Sequence, residues 1–156
     1  MKITFISVGH LKRSCLADGV AEYMKRIKRY TPFEAVDVRE EGGSAKTPKE
    51  EILRREGERI LKKLAPGDFT VALAEGGRFL GSVAFSKFIG GLADRGTRRV
   101  CFIVGGPWGL HRDVLDAAST VLSLSRMTLP HDIARLVLAE QVYRAFTIMR
   151  GEPYSH

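Results

Sequence analysis

Segments with the pattern of buried strands alternate with segments of helical periodicity along the whole chain of 156 residues. Short runs rich in β-branched and aromatic residues, bounded by glycine, proline or aspartate, predict five strands. They are Lys2–Val8, Phe33–Val38, Phe69–Ala74, Val100–Val104 and Val121–Ser125. Strands that alternate with helices form parallel sheets covered on both faces. The alternation therefore predicts one α/β domain over residues 1–156, with a mostly parallel sheet and helices on both faces.

Apolar spacing and capping signals predict a helix after each strand. The expected helices are Leu16–Tyr30, the segment from Thr47 to about Leu64, the segment from Ser82 to about Asp94, about ten residues after Gly109, and about Asp132–Met149. Thr47 and Ser82 are the expected N-caps. Pro48 is the expected first helical residue, Glu50 the expected capping-box residue, and Gly96 the expected stop. The last helix is apolar on nearly every side, which is typical of a helix that is buried or shared with a partner. A homodimer would bury it.

The formal net charge of +7 favours a polyanionic partner such as nucleic acid, or an acidic membrane surface. No apolar run is long enough to span a bilayer and the first residues do not resemble a signal peptide, so we expect no membrane segment and a cytoplasmic protein. Cys15 and Cys101 lack the spacing of zinc ligands, and we expect neither a metal nor a disulfide. The Gly- and Ser-rich stretch Glu40–Lys46 is expected to be mobile.

Basic residues concentrate in and just before the first predicted helix. They are Lys12, Arg13, Lys25, Arg26, Lys28 and Arg29. Cations at a helix C-terminus interact favourably with the helix dipole, and such a run is often only a solvated face. In a chain of net charge +7 the same residues also suit an RNA-contacting patch. Both interpretations stay open.

A glycine turn, Gly105-Gly106-Pro107-Trp108-Gly109, follows the strand Val100–Val104. It matches neither the dinucleotide fingerprint nor the P-loop, and Pro107 removes a backbone N–H that a phosphate cradle would use. The turn therefore suits close approach to a flat or neutral ligand, although an ordinary tight strand-to-helix turn would need the same glycines. Trp108 is suited either to stacking on a nucleobase or to packing alone.

A second loop, within Leu124–His131, follows the strand Val121–Ser125. Small hydroxyls and apolar residues alternate there without helical period, so its backbone polar groups need other partners, which a ligand base could supply. Parallel α/β sheets bind ligands at the carboxyl ends of their strands. Phe69–Ala74 is expected to end in a loop, Glu75-Gly76-Gly77-Arg78. Because Leu73 lies near the end of that strand, we expect it at the same edge as Gly105 and the second loop.

These segments together resemble one family. GGPWGL (Gly105–Leu110), LSLSRMTLPH (Leu122–His131), ARLVLAEQVYRAF (Ala134–Phe146) and the tail Pro153-Tyr154 are similar to the ribosomal RNA large subunit methyltransferase H family. The resemblance begins at Met1 and covers the chain to Tyr154. It implies a SPOUT-type fold with a C-terminal trefoil knot, a homodimer with its site at the subunit interface, and S-adenosyl-L-methionine-dependent methylation of N3 of a pseudouridine in 23S rRNA.

The resemblance also implies where the cofactor binds. The implied cofactor residues are Leu73, Gly105, Leu124, Ser125, Arg126, Met127, Thr128 and Leu129.

A chain this short and basic has few groups with which to read RNA sequence, so we expect it to recognise folded rRNA within the ribosome or large subunit. Sulfonium methyl transfer needs in-line approach and no metal, but an imide nitrogen must lose its proton to become a good nucleophile.

Three residues are candidates for the catalytic step. His131 is either the general base or a structural or capping residue. Arg144 either forms only an ion pair with Glu140, four positions earlier, or holds a phosphate or the developing anion. Tyr154 either stacks on a base, closes the site of the partner subunit, or frays with the terminus. The tail departs from the family pattern because Ser155 precedes His156, so no role is carried to His156.

Two other functions stay open from the sequence. One is a SPOUT enzyme that methylates a ribose 2′-hydroxyl or another base. The other is a non-catalytic basic module that binds RNA or ribosomes, which would have no affinity for S-adenosylmethionine. A nicotinamide-dependent enzyme is disfavoured because the dinucleotide fingerprint is absent.

Overall fold

The computed structural model describes residues 1–11, 15–42 and 47–154. Strands and helices alternate along this part of the chain, as predicted. The elements are β1 Lys2–Val8, α1 Cys15–Ile27, β2 Phe33–Val38, α2 Lys49–Leu61, β3 Phe69–Phe79, α3 Ser82–Asp94, β4 Arg99–Val104, α4 Arg112–Ala117, β5 Thr120–Ser123 and α5 His131–Arg150. The five-stranded sheet has the order β2-β1-β4-β3-β5, and every pair of neighbouring strands is parallel.

Helices cover both faces of the sheet, which confirms the predicted fold class. On one face, α1, α3 and α5 pack over Phe5, Phe102 and Val71, with Ile27, Ile89 and Leu138 among the buried helix residues. On the other face, α2 and α4 pack over Ile6, Val8, Cys101 and Ile103 through Ile60 and Val114. The centre of β4 is buried on both sides, as expected for a strand in the middle of a parallel sheet.

The stretch from Glu75 to Arg78 is strand and not the predicted loop. Leu73 and Arg78 both pair with Leu122, so residues 74–77 form a bulge within β3. A Cβ on Gly77 would lie 2.4 Å from the carbonyl carbon of Leu122, which explains why glycine stands there. The two glycines indicate a loop by local rules, but one of them permits a close approach between two strands.

Two predicted N-caps are also wrong. Pro48 has extended backbone (ψ 136°) and holds the N-cap position of α2, so the helix begins one residue later than predicted. Glu50, the expected capping-box residue, instead faces His111 across 3.0 Å. Ser82 is the first residue of α3, and its hydroxyl donates to Gln141 Oε1 on α5 at 2.8 Å. At α3, the tertiary partner Gln141 therefore competes successfully with local capping by Ser82.

Other boundaries differ by a few residues. The helix α1 ends at Ile27 and α2 ends at Leu61, each three residues before the predicted end. The predicted ten-residue helix after the glycine turn is the six-residue α4. Gly96 ends α3 with φ +73°, as expected. Lys12, Arg13, most of the predicted mobile stretch, Ser155 and His156 lie outside the described residues. The trefoil knot stays a prediction.

Candidate active site

A cavity of about 790 Å³ opens at the carboxyl edge of β3, β4 and β5. Its walls are the end of β3, the glycine turn after β4, the loop after β5 and the first turn of α5. This volume lies in the range of pockets that bind cofactor-sized molecules. The prediction that the ends of these three strands meet at one edge is confirmed by their register, in which Leu73 pairs with both Val104 and Leu122.

Seven of the eight predicted cofactor residues line this cavity. They are Leu73, Gly105, Leu124, Ser125, Met127, Thr128 and Leu129. Arg126 is not among the lining residues, and its guanidinium lies over the ring of Phe79, with 5.8 Å from the guanidinium carbon to the ring centroid. The predicted cofactor residues thus lie together at one cavity, except for the Arg126 side chain, and their role in binding the cofactor stays a prediction.

The glycine turn is closed by its own backbone. Gly109 N–H donates to Gly106 O at 3.0 Å, and Gly109 has φ +86°, a conformation that favours glycine. A Cβ on Gly105 would lie 2.3 Å from Gly109 O. The close approach at Gly105 is thus made by the turn itself, and any side chain there would displace the turn and the cavity wall that it forms.

The loop after β5 satisfies part of its backbone through two serines. Ser123 Oγ donates to Ser125 O at 2.7 Å, and Ser125 Oγ accepts from Met127 N–H at 2.9 Å. These bonds supply some of the partners that the sequence suggested a ligand might provide. The remaining edge of the loop faces the cavity, with Thr128 and Leu129 among its lining residues.

His131 is the first residue of α5 and lines the cavity. Its Nε2 lies 3.1 Å from Asp132 Oδ1, and about a third of its side chain is exposed. Pro130 holds the N-cap position, so the capping role is wrong. His131 thus contributes to the cavity wall while its ring contacts Asp132, and its role as base or structural residue stays open.

Arg144 and Tyr154 lie far from that cavity. Arg144 follows His131 by thirteen positions on α5, which corresponds to about 20 Å along a helix. The Arg144 guanidinium pairs with Glu140 (Nε to Oε1, 2.8 Å), as the spacing predicted, and lies 4.9 Å from the centroid of the Tyr154 ring. The structure therefore brings two of the three catalytic candidates together and separates both from His131.

Tyr154 is held by a cluster on α1 and α5. Its hydroxyl lies 3.1 Å from the Tyr23 hydroxyl and 3.3 Å from Glu140 Oε1, and its ring packs edge-on against Tyr143 with centroids 4.7 Å apart. Burial, and then the hydrogen bond with Tyr23, raise the pKa of Tyr154 well above its usual value. Tyr154 is thus ordered and protonated near neutral pH, so the frayed-terminus interpretation is wrong.

Two buried ionisable residues near the site are absent from the sequence predictions. Arg135 on α5 is 4% exposed and donates to the carbonyls of Val8 (2.5 Å) and Gly9 (2.7 Å) at the end of β1. Glu56 on α2 is 3% exposed and accepts from the Glu41 N–H at 2.9 Å. An arginine flanked by apolar residues in the last helix is the signal that could have indicated the first of these.

Electrostatics near α1 are mixed. Lys25, Lys28 and Arg29 are exposed, whereas Arg26 pairs with Glu22 and lies over the rings of Tyr23 and Tyr143 at 5.6 Å each.

Among the described residues, no helix is long and apolar enough to cross a membrane. Within residues 1–11, 15–42 and 47–154, no three His, Cys, Asp or Glu side chains are grouped to hold a metal ion.

Comparison with known proteins places the chain in a family. A family model described as a predicted SPOUT methyltransferase matches residues 1–156. Proteins named ribosomal RNA large subunit methyltransferase H from Streptococcus pneumoniae (strain CGSP14) and Carboxydothermus hydrogenoformans are 45% and 43% identical, over 99% of both chains in each comparison. A solved structure of a probable methylase family protein from Haemophilus influenzae Rd KW20 has the same fold, with a TM-score of 0.54 at 12% identity, over 99% of this chain and 70% of that one. The chain therefore belongs to the SPOUT methyltransferase family, whose members use S-adenosylmethionine.

Proposed function

We propose that this protein transfers a methyl group from S-adenosylmethionine to N3 of a pseudouridine in 23S rRNA. The observation that carries the proposal is the cavity of about 790 Å³ between the two loops that the family resemblance assigns to the cofactor. The full-length relatives named ribosomal RNA large subunit methyltransferase H support rRNA as the substrate. We propose assembled ribosomes or large subunits as the form of that substrate, and hence a cytoplasmic enzyme.

The residues around the cavity fit the cofactor. Leu73, Leu124 and Leu129 offer apolar surfaces to the faces of an adenine ring, and the loop backbone near Thr128 offers polar groups to its edge. Bound S-adenosylmethionine supplies an electrophilic methyl on a sulfonium. The protein's contribution is to hold the acceptor nitrogen in line with that methyl and to exclude water, which in the best intramolecular cases is worth about 7–11 kcal/mol.

The proton on N3 must leave before or during the transfer. With S-adenosylmethionine bound, an N–C bond would form as the S–C bond breaks, leaving a neutral thioether, and the N3 proton would pass to a base of the protein. His131 is the base that we propose, because it lines the cavity and Asp132 lies 3.1 Å from its Nε2. Burial and the hydrogen bond with Tyr23 raise the pKa of Tyr154, which favours its hydroxyl as a hydrogen-bond donor over a role as that base.

We propose that the complete site spans two subunits of a homodimer. Neither Arg144 nor Tyr154 lines the cavity of its own subunit. Arg144 lies about 15 Å along α5 from Ala134, the last lining residue on that helix, and Tyr154 is held beside Arg144. A two-fold dimer places the same patch of each subunit against the other, so the Arg144–Tyr154 pair of one subunit can complete the cavity of its partner. There the guanidinium would stabilise the anion that develops on the uracil ring or hold a phosphate.

The test is methyl transfer from isotopically labelled S-adenosylmethionine to ribosomes, large subunits and naked rRNA, followed by mass analysis of the digested nucleosides. We expect label on a base-methylated pseudouridine, with ribosomes or large subunits far better substrates than naked rRNA. Label on a ribose or on another base would make the protein a different SPOUT RNA methyltransferase. Ribosome binding without transfer or cofactor affinity would make it a non-catalytic binding module, and equal activity on naked rRNA would contradict recognition of the assembled particle.

A further inference from the structure

Trp108 is exposed although it lies at a binding cavity. It is the single tryptophan of the chain, it is one of the residues that line the cavity, and it is 57% exposed. Large apolar side chains in a folded domain are mostly buried, and exposed ones at a cavity commonly mark contact with a ligand or partner.

The turn that carries Trp108 is fixed before any ligand binds. Gly106 and Gly109 form an isolated antiparallel bridge around Pro107 and Trp108, and the Gly109 N–H donates to Gly106 O at 3.0 Å. Gly105 is buried, and a Cβ there would lie only 2.3 Å from Gly109 O, so the backbones of Gly105 and Gly109 are in direct contact. A ring held on a pre-organised turn binds with little loss of conformational entropy.

The surroundings of the ring favour an anionic ligand with a flat face. Lys49 Nζ lies 5.3 Å from the ring centroid of Trp108, within cation–π range. Across the cavity, Met127 is 76% exposed and lines the same cavity from the loop after β5. S-adenosylmethionine carries a net positive charge at neutral pH, which a lysine ammonium repels. A nucleotide of RNA combines a stacking face with a phosphate that the ammonium attracts.

An enzyme that methylates a ring nitrogen also needs an aromatic surface on which an unstacked base can stack. A base in folded RNA is stacked and often paired, and enzymes that act on a base must take it out of the stack. Aromatic side chains replace part of the lost stacking, and a tryptophan face does so without regard to base identity.

From these observations we propose that the Trp108 ring stacks on a base of the RNA substrate at the mouth of the cavity, with Lys49 facing the phosphate of that nucleotide. The proposal rests on the proposed function, because it assumes that RNA reaches this cavity. It makes Trp108 a determinant of RNA binding and not of cofactor binding.

The test compares Trp108→Leu, which keeps apolar bulk without an aromatic ring, with Trp108→Phe, which keeps a ring. For the wild type and both variants, kcat and KM for ribosomes are measured by label transfer, and ribosome binding by co-sedimentation. The Kd for S-adenosylmethionine is measured by calorimetry and the molecular mass by light scattering. We expect Trp108→Leu to raise the KM and the Kd for ribosomes by about tenfold, within the range for one lost stack, and Trp108→Phe to raise them by less than about threefold.

Four outcomes would overturn the proposal. Unchanged ribosome binding in Trp108→Leu would show that no base stacks there, and equal losses in both variants would remove the role of the ring face. A parallel loss of cofactor affinity would assign the ring to the adenine, and a change in molecular mass would assign it to a subunit contact. If the wild type binds ribosomes without methyl transfer while Trp108→Leu binds them more weakly, the proposed methylation fails and the stacking role stands.

Discussion

The guanidinium of Arg144 lies over the ring of Tyr154, and both groups reach the same carboxylate oxygen. The guanidinium carbon is 4.9 Å from the ring centroid. Glu140 Oε1 accepts from Arg144 Nε at 2.8 Å and from the Tyr154 hydroxyl at 3.3 Å. Glu140 thus holds Arg144 and Tyr154 in one cluster, and its hydrogen bond raises the pKa of Arg144.

Glu140→Gln should reduce catalysis without reducing cofactor affinity. The amide keeps an acceptor oxygen but loses the charge that orients the Arg144 guanidinium, and charge-assisted hydrogen bonds are roughly twice as strong as neutral ones. We expect kcat for methyl transfer to fall by about tenfold, the effect of 1.4 kcal/mol, while the Kd for S-adenosylmethionine is unchanged. Glu51→Gln is the matched control, since Glu51 pairs with Arg55 by the same spacing on α2, on the other face of the sheet. An unchanged kcat in Glu140→Gln would contradict the role of this cluster in catalysis.

Gly105→Val should abolish binding of S-adenosylmethionine. A Cβ at this position would lie 2.3 Å from Gly109 O, so the turn must move and the cavity wall moves with it. We expect wild-type binding in the micromolar range by calorimetry, and a Kd for the variant raised by at least about a hundredfold, the loss of roughly 3 kcal/mol. Gly91→Val serves as the control, because a Cβ at Gly91 on α3 meets nothing within 4 Å. Equal affinities of wild type and Gly105→Val would remove the glycine turn from the cofactor site.

Arg135→Met should destabilise the fold markedly. The buried guanidinium donates to the carbonyls of Val8 and Gly9, and methionine leaves both without that donor. We expect the free energy of unfolding in urea to fall by about 3 kcal/mol. Arg54→Met is the control, since Arg54 forms an exposed pair with Glu58 and its loss should cost less than about 1 kcal/mol. A loss for Arg135→Met as small as that of the control would contradict the structural role assigned to the buried guanidinium.

Stability should depend on pH through Glu56. Burial raises the pKa of Glu56 above its ordinary value of 4.5, against the opposing effect of the Glu41 N–H. The folded protein thus holds this proton more tightly than the unfolded chain does, so the stabilisation is complete below the unfolded pKa and is lost as pH rises through the folded pKa. Glu56→Gln should therefore raise the Tm near pH 7 and leave it unchanged below about pH 4. The opposite dependence would show that Glu56 is stabilised as the carboxylate; Glu51→Gln, exposed on the same helix, is the control.

The sequence predicted most of the elements and the location of the cavity, because both follow from local patterns and from the geometry of parallel sheets. Leu73, Gly105 and the loop after β5 meet because strands that run in one direction end at one edge. Gly77 was read as part of a loop because its need for glycine arises from the backbone of Leu122, forty-five positions later. Periodicity cannot show such a contact.

Side-chain orientation and long-range partners account for the other differences. Arg126 is in the loop after β5, but its guanidinium lies over the ring of Phe79. The Ser82 hydroxyl does not cap α3 and instead donates to Gln141 on α5. The helical spacing of Glu140 and Arg144 predicted their ion pair, whereas the packing of Tyr154 against Tyr23 and Tyr143 depends on how the tail returns to α1. These choices depend on which groups become neighbours only in the folded chain.

The most direct test of the account mixes two inactive subunits. Gly105→Val should prevent cofactor binding in the cavity, and Arg144→Ala removes the guanidinium of the Arg144–Tyr154 pair. A homodimer of either variant should therefore fail to methylate ribosomes. In a mixed dimer with a site that spans both subunits, one cavity and one Arg144 are intact together. We therefore predict that co-expression of the two variants restores about a quarter of the wild-type activity, as random pairing in a two-fold dimer gives. Mixed dimers that form, by mass, but remain inactive would contradict a site shared between subunits.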